Sequence, residues 1–525
     1  MKKKDIYLLL FWFIALLPII ILRDFTPTNE LRYLSIVDEA LLNGDIFTFT
    51  NQGEIYADKP PLHFWFMMFG KTLFKGHYMW FLSGMSFIFA LVTLVTMLKW
   101  VRLSYTTKEL AENSENENAA TLMLMTSSLF LGLAIFVRMD MLMLMFITLS
   151  LYTFFKIYKG KSRPRDTYLF PIYLFLALFS KGPFGILIPL VSTTLFLLFT
   201  KKIRTFGKYW GWKTLLIILA GCALWFTGVY MEGGNDYLNN LLVHQTVGRG
   251  INSFHHKEPF YYYAISIWYS IAPWALLAIG LLVVSLYKRK IKSDIELFLA
   301  IIVLSTFGFL SIVSSKIEIY FLPAIPPMIF LTALLLKHFD IQNKWIKASL
   351  AVPAIGFIMA LPAVIYLGSM DKTSFLGTSL LYVAATVITL TGLTVLFILY
   401  KKNNTYRAIY AMSIGLLLSI FVLGFTMPQL NIQLGWRKLC AKAIELSEER
   451  NITEYYVYKI SRAENLDVYL KQDVKTVTKE EILDSNFKDK LIMLPIKHME
   501  NDTKIDSIIQ TKEHYEIGKY MVVIF

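Results

Sequence analysis

Apolar runs close to the ~20 residues that carry a helix across hydrocarbon recur along the chain from its N-terminus to about position 427. They fall at 5–22, 78–98, 119–136, 141–158, 168–180, 183–200, 214–230, 261–286, 295–313, 318–336, 348–368, 376–400 and 408–427. This pattern predicts a mainly α, polytopic membrane helical bundle with about thirteen crossings. Two weaker signals lie in the gap between the first two runs. Positions 31–42 have the spacing of an amphipathic helix lying along an interface, and 62–74 form an apolar stretch too short and interrupted to cross.

Beyond 428 the pattern changes. Segments 454–460, 491–494 and 520–525 are rich in β-branched and aromatic residues, and they alternate with charged, helix-like stretches such as 439–450. A small C-terminal α/β domain over 428–525 follows, after a transmembrane domain over 1–427.

Charge decides orientation. With the N-terminus in the cytoplasm, the loops 99–118, 156–166, 201–213, 288–294, 337–347 and 401–407 lie inside and hold nearly all the loop Lys and Arg, as the positive-inside rule requires. The periplasmic regions are then a first loop over 23–77, a second over 231–260, and the tail. Lys2, Lys3 and Lys4 ahead of an apolar run resemble a signal peptide, but no small-residue cleavage site follows, so an uncleaved first helix is expected.

Composition agrees: of 525 residues 56% are hydrophobic and only 17% charged, outside the range of soluble domains. The net charge of +14 is dispersed in the short inner loops, which argues against a nucleic-acid surface. Two cysteines, Cys222 in an apolar span and Cys440 in the tail, provide no disulfide framework.

The candidate chemistry gathers on the outer side. Glu30 and Arg32 follow the first helix; Asp58 and Lys59 precede Pro60 and Pro61, which hold the backbone extended and fix where Lys59 points. Other outer turns carry Arg138 with Asp140, then Lys181, then Lys316 with Glu318 and Tyr320. Charged residues at helix mouths are costly, so their collection on one side suggests a positive site at headgroup level, suited to a phosphate. Each element also has a plainer reading. Arg138 and Asp140 fit a local turn pair, Lys181 and Lys316 fit cations reaching for the interface, and Glu30 fits a helix-start residue. His255 and His256 fit ordinary loop histidines, and Trp225, Tyr230, Trp268, Tyr269 and Trp274 fit an interfacial belt. A transporter or lipid flippase would share the helix count, yet it should show inverted repeats and charges near the midplane.

The order of motifs resembles the GT-C glycosyltransferases, most closely the branch with the 4-amino-4-deoxy-L-arabinose transferase of lipid A, and more distantly the protein O-mannosyltransferases. The matching pieces are Asn29-Glu30-Leu31-Arg32-Tyr33, Asp58-Lys59-Pro60-Pro61-Leu62, Arg138-Met139-Asp140-Met141, Ser180-Lys181-Gly182-Pro183, His256-Lys257-Glu258-Pro259, Ala272-Pro273-Trp274 and Ser314-Ser315-Lys316 to Pro323. The resemblance implies a polyprenyl-phosphate-linked sugar donor, an envelope acceptor (lipid A or lipopolysaccharide, another glycan, or a protein) and transfer on the periplasmic face of the inner membrane.

It implies that Lys59 grips the donor phosphate, with Arg32, Arg138, Lys181 and Lys316 in support. It also places Asp58, Asp140, Tyr320 and His256 in the substrate pocket, and a divalent ion (Zn, Mg or Mn) between Asp58 and His256. The family's acidic pair at the start of the first loop reads Asn29-Glu30 here. An amide cannot take a proton at neutral pH, so Glu30 is expected to be the general base, with Asn29 orienting the acceptor or sugar.

Overall fold

The computed structural model describes residues 2–105, 114–242, 257–340, 342–484, 489–500 and 502–525. Among these, nine helices are long and apolar enough to cross a membrane. They include α1 (Lys3–Leu22), and every predicted apolar run is helical over most of its length. The remaining runs are shorter or broken. Run 119–136 splits into Ser114–Met125 and Ser128–Leu133, and 261–286 into Tyr262–Ser270 and Ala275–Tyr287.

The first loop is built of two interfacial helices. In α2 (Glu30–Asn43), Leu31, Leu34 and Val37 are fully buried at helical spacing while Arg32, Asp38 and Glu39 stay partly exposed. Gly44, in the left-handed region at φ 81°, ends it. α3 (Leu62–Phe74) starts directly after Pro60-Pro61, whose fixed φ suits a helix start. A short hairpin pairs Thr50–Asn51 with Glu54–Ile55 between them.

Three further helices bring residues to the same end of the bundle: α4 (Met79–Leu103), α5 (Met139–Tyr158) and the shorter α6 (Asp166–Lys181). At the opposite end Arg102 bonds Asp5 at 2.7 Å and Glu117 at 2.9 Å, tying α1 and α4 to the helix Ser114–Met125. Helical backbone of α7 (Trp212–Asn239) extends into the expected second loop as far as Asn239, kinked at Gly234 with φ 62°.

The C-terminal region folds as expected. A helix, Arg437–Arg450, packs beside a five-stranded sheet of β1 (Tyr455–Val457), β2 (Val474–Thr476), β3 (Leu491–Pro495), β4 (Glu513–Ile517) and β5 (Tyr520–Ile524), in the order β2-β1-β3-β5-β4. β1 runs parallel to β2 and β3, and β5 antiparallel to β3 and β4. Period-two alternation gives the sheet two cores: Ile492, Leu494, Met521 and Val523 face one layer, while Leu491, Met493 and Val522 face the helix.

This domain sits over the start of α2. Asp24 accepts hydrogen bonds from the Tyr469 hydroxyl at 2.6 Å and the Arg437 amide at 3.1 Å, and Ser35 donates to Asp467 at 2.6 Å.

Candidate active site

Residues from separate parts of the chain meet where α2, α3, α5 and α6 converge. Glu30, in the first turn of α2, is 1% exposed and fully engaged. Arg23 grips both its oxygens, at 2.6 and 2.8 Å, while the amides of Thr26 and Val137 donate to it at 2.7 Å each. Those four donors occupy the positions at which a carboxylate takes up a proton, and the pair is buried. The expectation that Glu30 is the general base is therefore corrected: it is an anchor joining the end of α1, the start of α2 and the start of α5. Asn29 stands just outside, partly exposed, with its amide 3.5 Å from the Thr28 hydroxyl.

Val137 leads into Arg138, whose Nε bonds Asp140 at 3.2 Å. Asp140, buried in the first turn of α5, also takes the ammonium of Lys181 from the end of α6. Lys181 in turn lies 4.7 Å from the centroid of the Tyr320 ring. Arg138, Asp140, Lys181 and Tyr320 thus form one cluster, with one carboxylate held between two cations. Both cations are partly neutralised, so the site is less positive than the count of Lys and Arg suggests.

Arg32 differs. Its guanidinium lies 5.8 Å from the ring centroid of Tyr33 and 5.6 Å from that of Tyr56, and among the described residues no carboxylate forms a salt bridge with it. Aromatic faces hold a cation without cancelling its charge.

Asp58 and Lys59 follow Tyr56 and are partly exposed. Lys316 is 3% exposed, and its ammonium donates to the Glu258 carbonyl at 3.0 Å. It fixes the segment before the second cluster of tyrosines, where Tyr262 donates to Glu318 at 3.0 Å. His256 and His255 lie outside the described residues. No group of three or more His, Cys, Asp or Glu residues among the described ones is placed to hold a metal ion.

Several site residues carried no sequence signal. His63, in the first turn of α3, is wholly buried, edge-on to the Tyr33 ring at 6.3 Å, and neither ring nitrogen has a hydrogen-bond partner among the described residues. Burial pushes its imidazole down to about 4 although the Asp140 carboxylate pulls the other way, so it is neutral. Arg23 reads as a plain interfacial cation; only contact with Glu30 reveals its part. The aromatic belt also needs correction, since Trp274 is fully buried and donates to Thr126 at 3.1 Å.

An open apolar groove of about 1210 Å³ runs between α1 and α4. Ile6, Phe13 and Ile21 line it along α1, and Leu62, Trp65 and Phe69 line it from α3, which starts just after Lys59-Pro60-Pro61.

The family model for dolichyl-phosphate-mannose-protein mannosyltransferases matches residues 58–226, the stretch from Asp58 through Arg138 to Lys181 and α7. The crystal structure of ArnT from Cupriavidus metallidurans bound to undecaprenyl phosphate superposes with a TM-score of 0.75 at 17% identity, covering 99% of this chain and 96% of that one. The chain shares the ArnT fold over nearly its whole length.

The undecaprenyl phosphate-alpha-4-amino-4-deoxy-L-arabinose arabinosyl transferase 1 of Pseudomonas fluorescens (strain Pf0-1) is 24% identical over 83% of this chain and 77% of its own length. An uncharacterized protein of Aquifex aeolicus (strain VF5) is 27% identical over 61% of this chain, and the match spans 62% of that relative. The chain is a multi-pass membrane protein with a small C-terminal sheet domain.

Proposed function

We propose that the protein transfers a sugar from a polyprenyl-phosphate carrier to an envelope acceptor on the periplasmic face of the inner membrane. The observation that carries this reading is an apolar groove lined in part by α3, the helix that Lys59 precedes. The groove extends along α1 from Ile6 to Ile21, roughly 22 Å at 1.5 Å per residue. It has the length and the wholly apolar lining for an isoprenoid tail, and Leu62, just after Lys59-Pro60-Pro61, is among its lining residues.

In the reaction, an acceptor oxygen attacks the anomeric carbon and the bond to the lipid phosphate breaks. Negative charge grows on the departing phosphate, so cations already in place stabilise the transition state more than the bound donor. Arg32, resting on two rings, and Lys59 take that role. Lys181 and Arg138 hold Asp140 in place. The partly exposed Asp58, next to Lys59, is the carboxylate that takes the acceptor's proton. A single displacement of this kind inverts the anomeric centre.

Similarity to aminoarabinose transferases favours undecaprenyl phosphate-linked aminoarabinose as donor. The test is mass spectrometry of envelope lipids from cells producing the wild type or Lys59→Ala. Loss of the modification at equal protein level supports the reading, and full modification by Lys59→Ala removes it.

A further inference from the structure

The loop that carries Tyr56, Asp58 and Lys59 is held by a helix remote from it in sequence. At the end of α7, the Glu232 carboxylate accepts from the amides of Phe47 at 2.7 Å, Thr48 at 3.0 Å and Ile46 at 3.1 Å, and from the Thr48 hydroxyl at 3.3 Å. One turn on, the buried Tyr237 hydroxyl accepts from the Phe49 amide at 3.0 Å and donates to the Tyr56 carbonyl at 2.9 Å. The two tyrosine bonds close the neck of the loop, because Phe49 and Tyr56 flank the hairpin, and the Tyr56 amide bonds the Phe49 carbonyl at 2.8 Å.

Close approach is built in. A Cβ at Gly233 would lie 2.8 Å from Thr48 Cγ2, so the helix meets the loop there only because this residue is glycine. From the other side α2 grips the same hairpin: Glu39 accepts from the amides of Gln52 at 2.8 Å and Gly53 at 2.9 Å.

We propose that Tyr237 and Glu232 are positioning residues for the phosphate seat. The Tyr56 ring that Tyr237 immobilises through the backbone is one of the two faces on which Arg32 rests, and Lys59 follows three residues later. Tyr237 thereby sets the separation between Arg32, on α2, and Lys59, at the start of α3. The inference rests on the donor-phosphate reading above and names what holds that seat open.

The experiment compares binding of undecaprenyl phosphate and of uncharged undecaprenol to the purified full-length protein in detergent micelles. Wild type should prefer the phosphate, and Arg32→Ala should erase the preference. Tyr237→Phe should weaken undecaprenyl phosphate about fivefold or more, the loss expected for one or two hydrogen bonds, and leave undecaprenol unchanged. Neither residue lines the apolar groove. Glu232→Gln should act in the same direction and serves if Tyr237→Phe fails to fold.

Unchanged phosphate binding in the variants, or equal loss of both lipids, would overturn the positioning role while leaving the seat intact. A wild type that binds both lipids equally would overturn the phosphate seat itself, and the inference with it.

Discussion

Arg23 holds both oxygens of Glu30 at 2.6 and 2.8 Å within a site almost closed to solvent. The pair joins the last turn of the first membrane helix to the first turn of the interfacial helix, and through the Val137 amide it reaches the start of α5. A carboxylate so occupied stabilises the scaffold around the chemistry without taking part in it.

Glu30→Gln should therefore act on stability before activity. Removing one partner of a buried pair leaves the other charge uncompensated, at a cost of ~3 to 5 kcal/mol. The unfolding temperature in detergent should fall sharply. Replacing both residues with Met should recover most of the loss, since a well-packed apolar pair has no unpaired charge. Full stability of Glu30→Gln would contradict the anchor role and reopen its candidacy as base.

Lys181→Ala should abolish sugar transfer while Lys181→Arg retains part of it. The ammonium is one of two cations on the buried Asp140, and without it the carboxylate is under-compensated and the Arg138 side chain is drawn toward it. A readout is the fraction of modified envelope lipid by mass spectrometry, normalised to protein level. Wild-type transfer by Lys181→Ala would show that the triad is dispensable.

Asp467 makes docking of the C-terminal domain sensitive to pH. Burial, reinforced by the nearby Asp38 and Asp473, pushes its carboxyl up to about 6, although the Ser35 hydroxyl and the Val468 amide favour the charged form. Asp38 moves the other way: His77 and Lys71 outweigh its burial and hold it below the usual range. A raised carboxyl means that the folded protein binds the proton more tightly than the unfolded one. The stabilisation is thus present below the unfolded value and is lost as pH rises through about 6. Allowing for solvent screening, the effect is ~1 to 2 kcal/mol. Thermal melts between pH 4.5 and 7.5 should show wild type losing stability across this window, and Asp467→Asn should flatten that slope. An unaltered slope in the variant would assign the pH dependence to other groups.

Tyr469→Phe should loosen the same domain from the first loop. It removes a 2.6 Å hydrogen bond to the buried Asp24, a loss of ~1.5 to 3 kcal/mol for a bond to a charged group. Limited proteolysis should cut the variant faster than wild type between Leu434 and Arg437, where the chain enters the domain. Equal cleavage rates would show that the remaining contacts, such as Ser35 with Asp467, hold it alone.

The membrane architecture was legible residue by residue. Hydrocarbon allows only self-satisfied backbone, so each span has to be announced by a local apolar run, and α1, α4 and α5 begin and end within a few residues of their predicted limits. The interfacial helix α2 and the sheet of the tail were legible for the same reason, since their burial follows helical and two-residue periods. The extension of α7 through 231–239 was not. That stretch holds Glu232, Gly233, Gly234, Asn235 and Asp236, which read as a loop, and it is helical because Glu232 and Tyr237 bond a distant segment.

Taken alone, the sequence determined which segments are apolar enough to enter the membrane and that a small sheet domain ends the chain, because each depends on local composition against a fixed solvent. Only the tertiary structure decided which charges are already partnered. Glu30 is held by Arg23, Lys316 donates to the Glu258 carbonyl, Asp140 is shared by Arg138 and Lys181, and Arg32 rests on aromatic rings. The Lys316 contact spans 58 positions, and the one-dimensional pattern cannot register a contact whose energy exists only once the helices have packed.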